Sequence, residues 1–413
     1  MLELEAELAK RIEAKGRITF AEFMELALFW PRGGYYASPD RIGAAGDFYT
    51  APGAHPAFGA LLAVQMHQMW RVLGRPRPFH VVEMGAGSGL LCRDIVSYSA
   101  NLPKDFLDSL RYLCLDRRAT PGEEASLEPL LRAHVERLAA ADLPLKGVAG
   151  CVLSNELVDS FPVHQVVVQD GKLREVCVTL RDGAPVETLD EPSTPLLQRR
   201  LDSLGVSLPD GYRTEVNLAQ EPWMASVASA LERGFVLTID YGYTAAEYYS
   251  PSRSRGTLTC YYRHTQTNNP YQRIGRQDMT AHVEFTTLAR AGAAHGLQTL
   301  GLVSQESYLT NLGLGQWVSR LRDLGLRPAQ LQANRMGMLG LVQPEGFGRF
   351  KVLAQAKGVE APRLWGLEGG ADLAGLPMPL RSETHMPLLE GKYPHEAQQF
   401  DAWWPFDKGD KTL

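Results

Sequence analysis

Cysteine is scarce in this chain. Cys92, Cys114, Cys151, Cys177 and Cys260 are its only five thiols in 413 residues. No C-x-x-C pair occurs, so the spacing encodes neither a metal knuckle nor a redox couple. The odd number and wide spacing exclude a disulfide framework. They point to reduced thiols used as small core residues and, with them, to an intracellular compartment. Basic excess is missing as well. A formal net charge of -5 removes the electrostatic reason to expect nucleic acid as a partner. No apolar run reaches the roughly 20 residues that a membrane span requires, so no membrane partner is expected. The first stretch carries Glu3, Glu5, Glu7 and Glu13 and lacks the apolar segment of a signal peptide. These absences together set the expectation of a cytoplasmic protein. Internal repeats and low-complexity blocks are also absent.

What is present is an ordinary globular composition, with 45% hydrophobic and 22% charged residues. The length suits two domains or one large domain with insertions. The densest signal is Phe79–Gly89, FHVVEMGAGSG. Phe79, Val81 and Val82 suit a buried strand, and Glu83 ends its apolar run. Gly85, Gly87 and Gly89 follow at alternate positions, where glycine permits φ > 0 and lets a ligand approach the main chain. Helical periodicity resumes over Leu90–Tyr98. Strand, glycine turn and helix in this order form the nucleotide-type site of an open α/β sheet. The dinucleotide pattern G-x-G-x-x-G fails here, because its third glycine would be Leu90.

Upstream, Thr19 reads as the N-cap of a helix over Phe20–Phe29, with Glu22 completing a capping box. Ile42–Pro52 is a glycine-rich loop, and a helix spans Pro56–Leu73. Downstream, a second strand ends at Asp116, where an acid can accept hydrogen bonds from ribose hydroxyls. Glu123–Leu138 reads as helical, with a weak third strand in or just after its last residues. Gly150–Leu153 is a strand leading into Ser154–Pro162, where Asn155, Glu156 and Asp159 cluster. Glu156 and Asp159 at i, i+3 can face one point on a helical turn; an N-cap with two first-turn acids is the alternative. His164–Leu189 reads as a β-meander with hairpins at Asp170-Gly171 and Asp182-Gly183. Phe235–Ile239 is a buried strand ending in Asp240-Tyr241-Gly242. Thr265–Gly275 reads as a mobile loop. After Gly358 the chain is rich in proline and glycine, and its tryptophans suggest that it packs back.

The E-x-G-x-G-x-G order resembles motif I of S-adenosylmethionine (AdoMet)-dependent methyltransferases. Four blocks taken together are more specific. GGYY with GDFYTAP, EMGAGSG, SNELVDSFP, and DYGY with DMTAHVEF resemble the MidA-type methyltransferase family, whose mitochondrial members methylate an arginine of a complex I subunit. The resemblance runs from about Ala6 to Ala356. Three departures stand out: Ala86 where the family often has proline, Tyr49 for an aliphatic residue, and Asp116-Arg117-Arg118 for a glutamate followed by Ser-Pro.

The resemblance implies an α/β fold: a Rossmann-like methyltransferase sheet with an N-terminal helical portion, an inserted β-meander and extra helices. It divides the chain into a helical, cofactor-lid region over 1–75, a methyltransferase domain over 76–357 and a tail over 358–413. It implies AdoMet as cofactor. Gly46, Asp47, Phe48, Thr50, Glu83, Gly85, Gly87, Gly89, Asp116 and Asn155 are the candidate cofactor residues, and no metal is expected. Glu156, Asp159 and His282 are the candidate catalytic residues, with a structural role for His282 equally open. The expected substrate is an arginine-bearing protein. A small-molecule methyltransferase and a non-catalytic assembly factor are the alternatives.

Overall fold

A computed structural model describes residues 3–37, 50–117, 122–140, 143–263, 265–382 and 384–385. The chain forms two compact units, each built from three segments. Unit 1 comprises Met1–Phe48, Glu156–Ala228 and Asp240–Gly296; unit 2 comprises Tyr49–Asn155, Ser229–Ile239 and Leu297–Leu413.

Unit 2 is organised on a seven-stranded sheet. Its strands are β1 (Phe79–Met84), β2 (Leu110–Asp116), β3 (Val135–Ala139), β4 (Val148–Asn155), β5 (Leu231–Asp240), β6 (Gln298–Ser304) and β7 (Lys351–Lys357). Their spatial order is β6-β7-β5-β4-β1-β2-β3. The pairs β1–β2, β2–β3, β1–β4 and β4–β5 are parallel, and β6–β7 is antiparallel. The central strands read as continuous apolar runs because both faces are covered. Phe79, Val81, Leu153, Phe235 and Leu237 join one core with the helix Ala57–Val72. From β1 the chain builds outward through β2 and β3, then returns to lay β4 on the other side. The reversal makes the carboxyl ends of β1 and β4 a topological switch point, where sheets of this kind bind ligands.

Glu123–Leu138 departs from the helical expectation. A 3-10 turn covers Glu123–Ser126, one helical turn covers Pro129–Arg132, and Val135–Ala139 is the edge strand β3. Parallel pairing with β2 supplies backbone partners that outweigh the helical preference of Glu, Arg, Leu and Ala. The segment Thr265–Gly275 also departs from expectation, since Thr265–Thr267 pairs with Thr259–Tyr262.

Unit 1 carries the meander. His164–Gln169, Lys172–Arg181 and Ala184–Asp190 form antiparallel hairpins, with Ile18–Thr19 and Arg213–Val216 completing the sheet. Both turns have two left-handed residues, at φ 53° and 69° for Asp170-Gly171 and 52° and 77° for Asp182-Gly183. That geometry matches the twist of the flanking strands. The Thr19–Glu22 capping box forms as the sequence predicts, with N–H···O distances of 3.1 and 2.9 Å. Leu4, Leu8 and Ile12 of the first helix pack with Phe20, Phe23 and Met279 in the core of this unit.

Candidate functional site

Within unit 2 the candidate cofactor residues meet at the carboxyl ends of three adjacent strands. Met84 lies opposite Leu115 of β2 and Ser154 of β4, so Glu83, Asp116 and Asn155 terminate neighbouring strands. Gly85, Gly87 and Gly89 all have positive φ (72°, 48° and 74°). The Gly85 and Ala86 N–H groups donate to Leu115 O at 2.8 and 3.1 Å, and Gly87 N–H donates to Asp116 Oδ2 at 2.9 Å. The aspartate ending β2 therefore faces the glycine turn directly.

Glu83 is buried, and Tyr112 Oη donates to its Oε2 at 2.8 Å. Burial pushes the Glu83 carboxyl up to about 8, against the opposing pull of the Tyr112 hydrogen bond. Tyr112 lies diagonally across the β1–β2 pair from Glu83, two residues before its partner Cys114. A second brace is absent from the sequence reading. The Arg137 guanidinium on β3 donates to Glu124 at 2.6 and 3.0 Å, and its third nitrogen reaches Gly87 O at 3.4 Å. Glu124 also accepts from Gly122 N–H at 3.0 Å. A Cβ on Gly89 would stand 1.7 Å from Glu124 Oε2. The brace and the turn are thus packed as one piece. Arg137 lies where the sequence suggests a weak third strand, but its pairing with Glu124 and Gly87 depends on strand register and was not legible there.

Thr50 precedes the short helix Ala51–Ala54 and is partly exposed. Gly46, Asp47 and Phe48 lie outside the described residues.

Within unit 1 the candidate catalytic residues gather around a buried aspartate. Asp240, the last residue of β5, is fully buried; its Oδ2 accepts Val158 N–H at 3.0 Å and Asp159 N–H at 3.3 Å. Its Oδ1 accepts Tyr241 N–H at 2.9 Å. Glu156 has φ 50°, a left-handed conformation costly for a residue with a Cβ. Asp159 is 5% exposed and hydrogen-bonds the Tyr241 side chain, while its buried Oδ1 has no hydrogen-bond partner among the described residues. The Asp159 carbonyl accepts Ala281 N–H at 2.9 Å, next to His282. Glu156 and Asp159 leave the helical turn expected for them: Glu156 is left-handed, and a short 3-10 turn covers Val158–Ser160.

The electrostatics follow from this crowding. Burial, then the Asp159 and Glu156 charges, hold the Asp240 carboxyl well above the usual carboxylate range. Burial lifts Asp159 to about 6, partly offset by the Tyr241 hydrogen bond. Tyr36 Oη donates to Asp278 Oδ1 at 2.9 Å, and burial with the Asp278 and Asp159 charges pushes its phenol up. The His282 ring lies 5.2 Å from the rings of both Tyr241 and Tyr243, and the His282 main-chain N–H donates to Thr257 Oγ1 at 3.1 Å. Tyr36, Asp240, Tyr241 and Asp278 were visible as motif letters, but their convergence was not.

Residues 61–303, more than half of the chain, match a family of S-adenosyl-L-methionine-dependent methyltransferases. The chain belongs to this family. It is 30% identical over 396 residues to the protein arginine methyltransferase NDUFAF7 homolog, mitochondrial, of Drosophila melanogaster, covering 86% of each chain. The mitochondrial protein arginine methyltransferase NDUFAF7 of Rattus norvegicus is 28% identical, over 83% of this chain and 82% of its own. A crystal structure of a COG1565 superfamily member from Burkholderia thailandensis, solved with S-adenosyl-homocysteine bound, superposes with a TM-score of 0.79 at 31% identity. It spans 89% of this chain and 95% of that one.

The protein is a transferase of MidA type, its fold is the Rossmann-like methyltransferase fold, and its methyl donor is AdoMet. The expected cytoplasmic location is overturned by these relatives, which are mitochondrial. The expectation rested on composition and an acidic first helix, and neither property specifies a compartment. The residues present fit the donor. Main chain bare of side chains, a carboxylate ending β2 and an amide ending β4 stand together at the switch point, matching a ligand with ammonium, carboxylate and ribose groups. Among the described residues no helix is long and apolar enough to cross a membrane.

Proposed function

We propose that the methyl acceptor is a protein arginine side chain. The observation that carries this reading is the density of buried acid in unit 1. Asp159, Asp240 and Asp278 are each at most 5% exposed, and Glu156 adds its charge to the same group. Buried like charges are costly unless a cation or a proton compensates them. A guanidinium is the cation best suited to carboxylates, because its planar fork can bond two oxygens at once. The names of the mitochondrial relatives support the same acceptor.

In this reading the main chain at Gly85, Gly87 and Gly89, with Glu83, Asp116 and Asn155, holds the donor. Thr50 is assigned to the donor as well. When bound, AdoMet supplies a methyl carbon already activated by its sulfonium, so the protein's work is positioning and charge. Glu156 orients the guanidinium. Asp159 takes the proton that the nitrogen loses as its new N–C bond forms. His282 packs on Tyr241 and orders its ring.

The test is transfer of labelled methyl from AdoMet into whole lysate, followed by acid hydrolysis. Label recovered in methylarginine is the expected result. Label confined to small molecules would reject the protein acceptor. Glu156→Ala is expected to reduce transfer at least 100-fold with AdoMet affinity within about threefold of the parent. A parallel loss of AdoMet binding would move Glu156 to the cofactor side.

A further inference from the structure

We infer that Asp240 is a positioning residue for methyl transfer, and that Tyr241 sets the proton affinity of Asp159; both rest on the acceptor reading above. The geometry is a clamp. Asp240 ends β5, whose penultimate residue Ile239 pairs with Asn155 at the end of β4. Its Oδ2 receives the consecutive N–H groups of Val158 and Asp159. Its other oxygen is committed to Tyr241 N–H. Among the described residues, the hydrogen bonds of this side chain go to main chain of the two segments that carry Asp159 and Tyr241.

Such bonds fix the path of the turn. Glu156, two residues before the clamped Val158, is held at φ 50°, a conformation that a free segment would leave. From the opposite side Ala281 N–H holds the Asp159 carbonyl at 2.9 Å. With its backbone tied at both N–H and C=O, Asp159 presents a carboxylate bonded on one side by Tyr241. Its buried Oδ1 has no hydrogen-bond partner among the described residues. An unpaired, 95% buried carboxylate oxygen is expensive unless a ligand completes it.

The proton accounting closes. A guanidinium nitrogen forms its bond to the methyl carbon, the S–C bond breaks, and S-adenosyl-homocysteine leaves neutral at sulfur. The extra N–H proton passes to Asp159, giving a methylguanidinium and a carboxylic acid that later loses its proton to water. The Asp159 charge acts on Tyr241, Asp240 and Tyr36, and Glu156 and Asp278 act on Asp240 and Tyr36 in turn. The charged form of Asp159 is stabilised first by the Tyr241 hydrogen bond and then by the Ser160 and Asp159 main-chain N–H groups.

The experiment uses the full chain, with tritiated AdoMet as donor and lysate protein as acceptor probe. AdoMet binding is measured separately by calorimetry. Asp240→Asn, nearly isosteric, is expected to lower the transfer rate at least 30-fold while AdoMet affinity stays within threefold. Asp240→Glu should recover less than a tenth of the parent rate, because the longer acid misplaces the turn. Tyr241→Phe should keep a folded, AdoMet-binding protein whose acid limb of the pH–rate profile moves to higher pH. Transfer by Asp240→Asn within threefold of the parent would overturn the positioning role. So would a loss of AdoMet affinity in proportion to rate. An unmoved acid limb in Tyr241→Phe would overturn the tuning of Asp159. Should the parent label some product other than arginine, the acceptor reading fails on its own, and the Asp240→Asn ratio for that product still decides the clamp.

Discussion

Glu83 illustrates how one buried group links stability to ligand binding. Its carboxyl, raised from 4.5 to about 8, is mostly protonated at neutral pH. The ligand-free chain should therefore lose stability as pH climbs from about 4.5 through about 8, since over that range the unfolded state releases a proton that the folded state keeps. A cation placed beside Glu83 favours its ionised form. AdoMet binding at pH 7 should then release close to one proton, and affinity should rise with pH until about 8. Calorimetry in buffers of different ionisation enthalpy measures the proton count directly, and a count of zero would separate Glu83 from the donor. Tyr112→Phe removes the hydrogen bond that favours the carboxylate and should weaken AdoMet binding at neutral pH. Glu83 was legible as the acid that ends a strand. Its tyrosine partner was not, because Tyr112 finds it only through the β1–β2 register.

At the scale of the element, the glycine turn stands on β3 as well as on its own φ angles. Arg137 and Glu124 form an almost fully buried pair beneath Gly87 and Gly89. Removing one partner of such a pair leaves an uncompensated buried charge, at a cost of about 3–5 kcal/mol. Arg137→Ala should thus lower both the melting temperature and AdoMet affinity, although Arg137 is 50 residues from Gly87 in sequence. Gly89→Ala should do the same, since φ 74° and a 1.7 Å approach to Glu124 act together. A milder contrast is Thr19→Ala, which removes one capping bond of the Phe20–Phe29 helix and should cost about 1 kcal/mol, read by thermal unfolding. The capping box and both Asp-Gly hairpins were legible because each is written in adjacent residues. The strand β3 was legible only as a weak strand in or just after the last residues of Glu123–Leu138, because its residues favour a helix until a neighbouring strand is supplied.

At the scale of the whole molecule, the described residues after Gly358 (359–382 and 384–385) belong to unit 2. Leu364, Ala371 and Leu373 enter its core. Gly366 N–H donates to Gln65 at 2.8 Å, Tyr98 Oη donates to Pro377 O at 2.8 Å, and Arg320 donates to Leu373 O at 2.9 Å. His385 Nε2 meets Asp94 Oδ2 at 2.7 Å, both groups buried, on the helix Leu90–Ser99 that leaves the glycine turn. A chain ending at Gly358 should therefore melt at a markedly lower temperature and bind AdoMet more weakly. His385→Ala should cost roughly 1–3 kcal/mol, because Asp94 stays buried with Arg93 as its remaining partner. An unchanged melting curve for either variant would show that the segment adds no stability.

The local features were determined by the chain's own letters. Apolar runs made buried strands, Asp-Gly pairs made hairpins, and glycines at alternate positions made the turn that follows β1. Local chemistry acts between neighbours, so it can be read without coordinates. The tertiary structure alone decided which distant acids lie together. Asp240 holds Val158 and Asp159 across more than 80 positions of sequence, and Tyr36 meets Asp278 across 242. Such contacts depend on strand order and register, which are set by packing the entire sheet and not by any one segment of it.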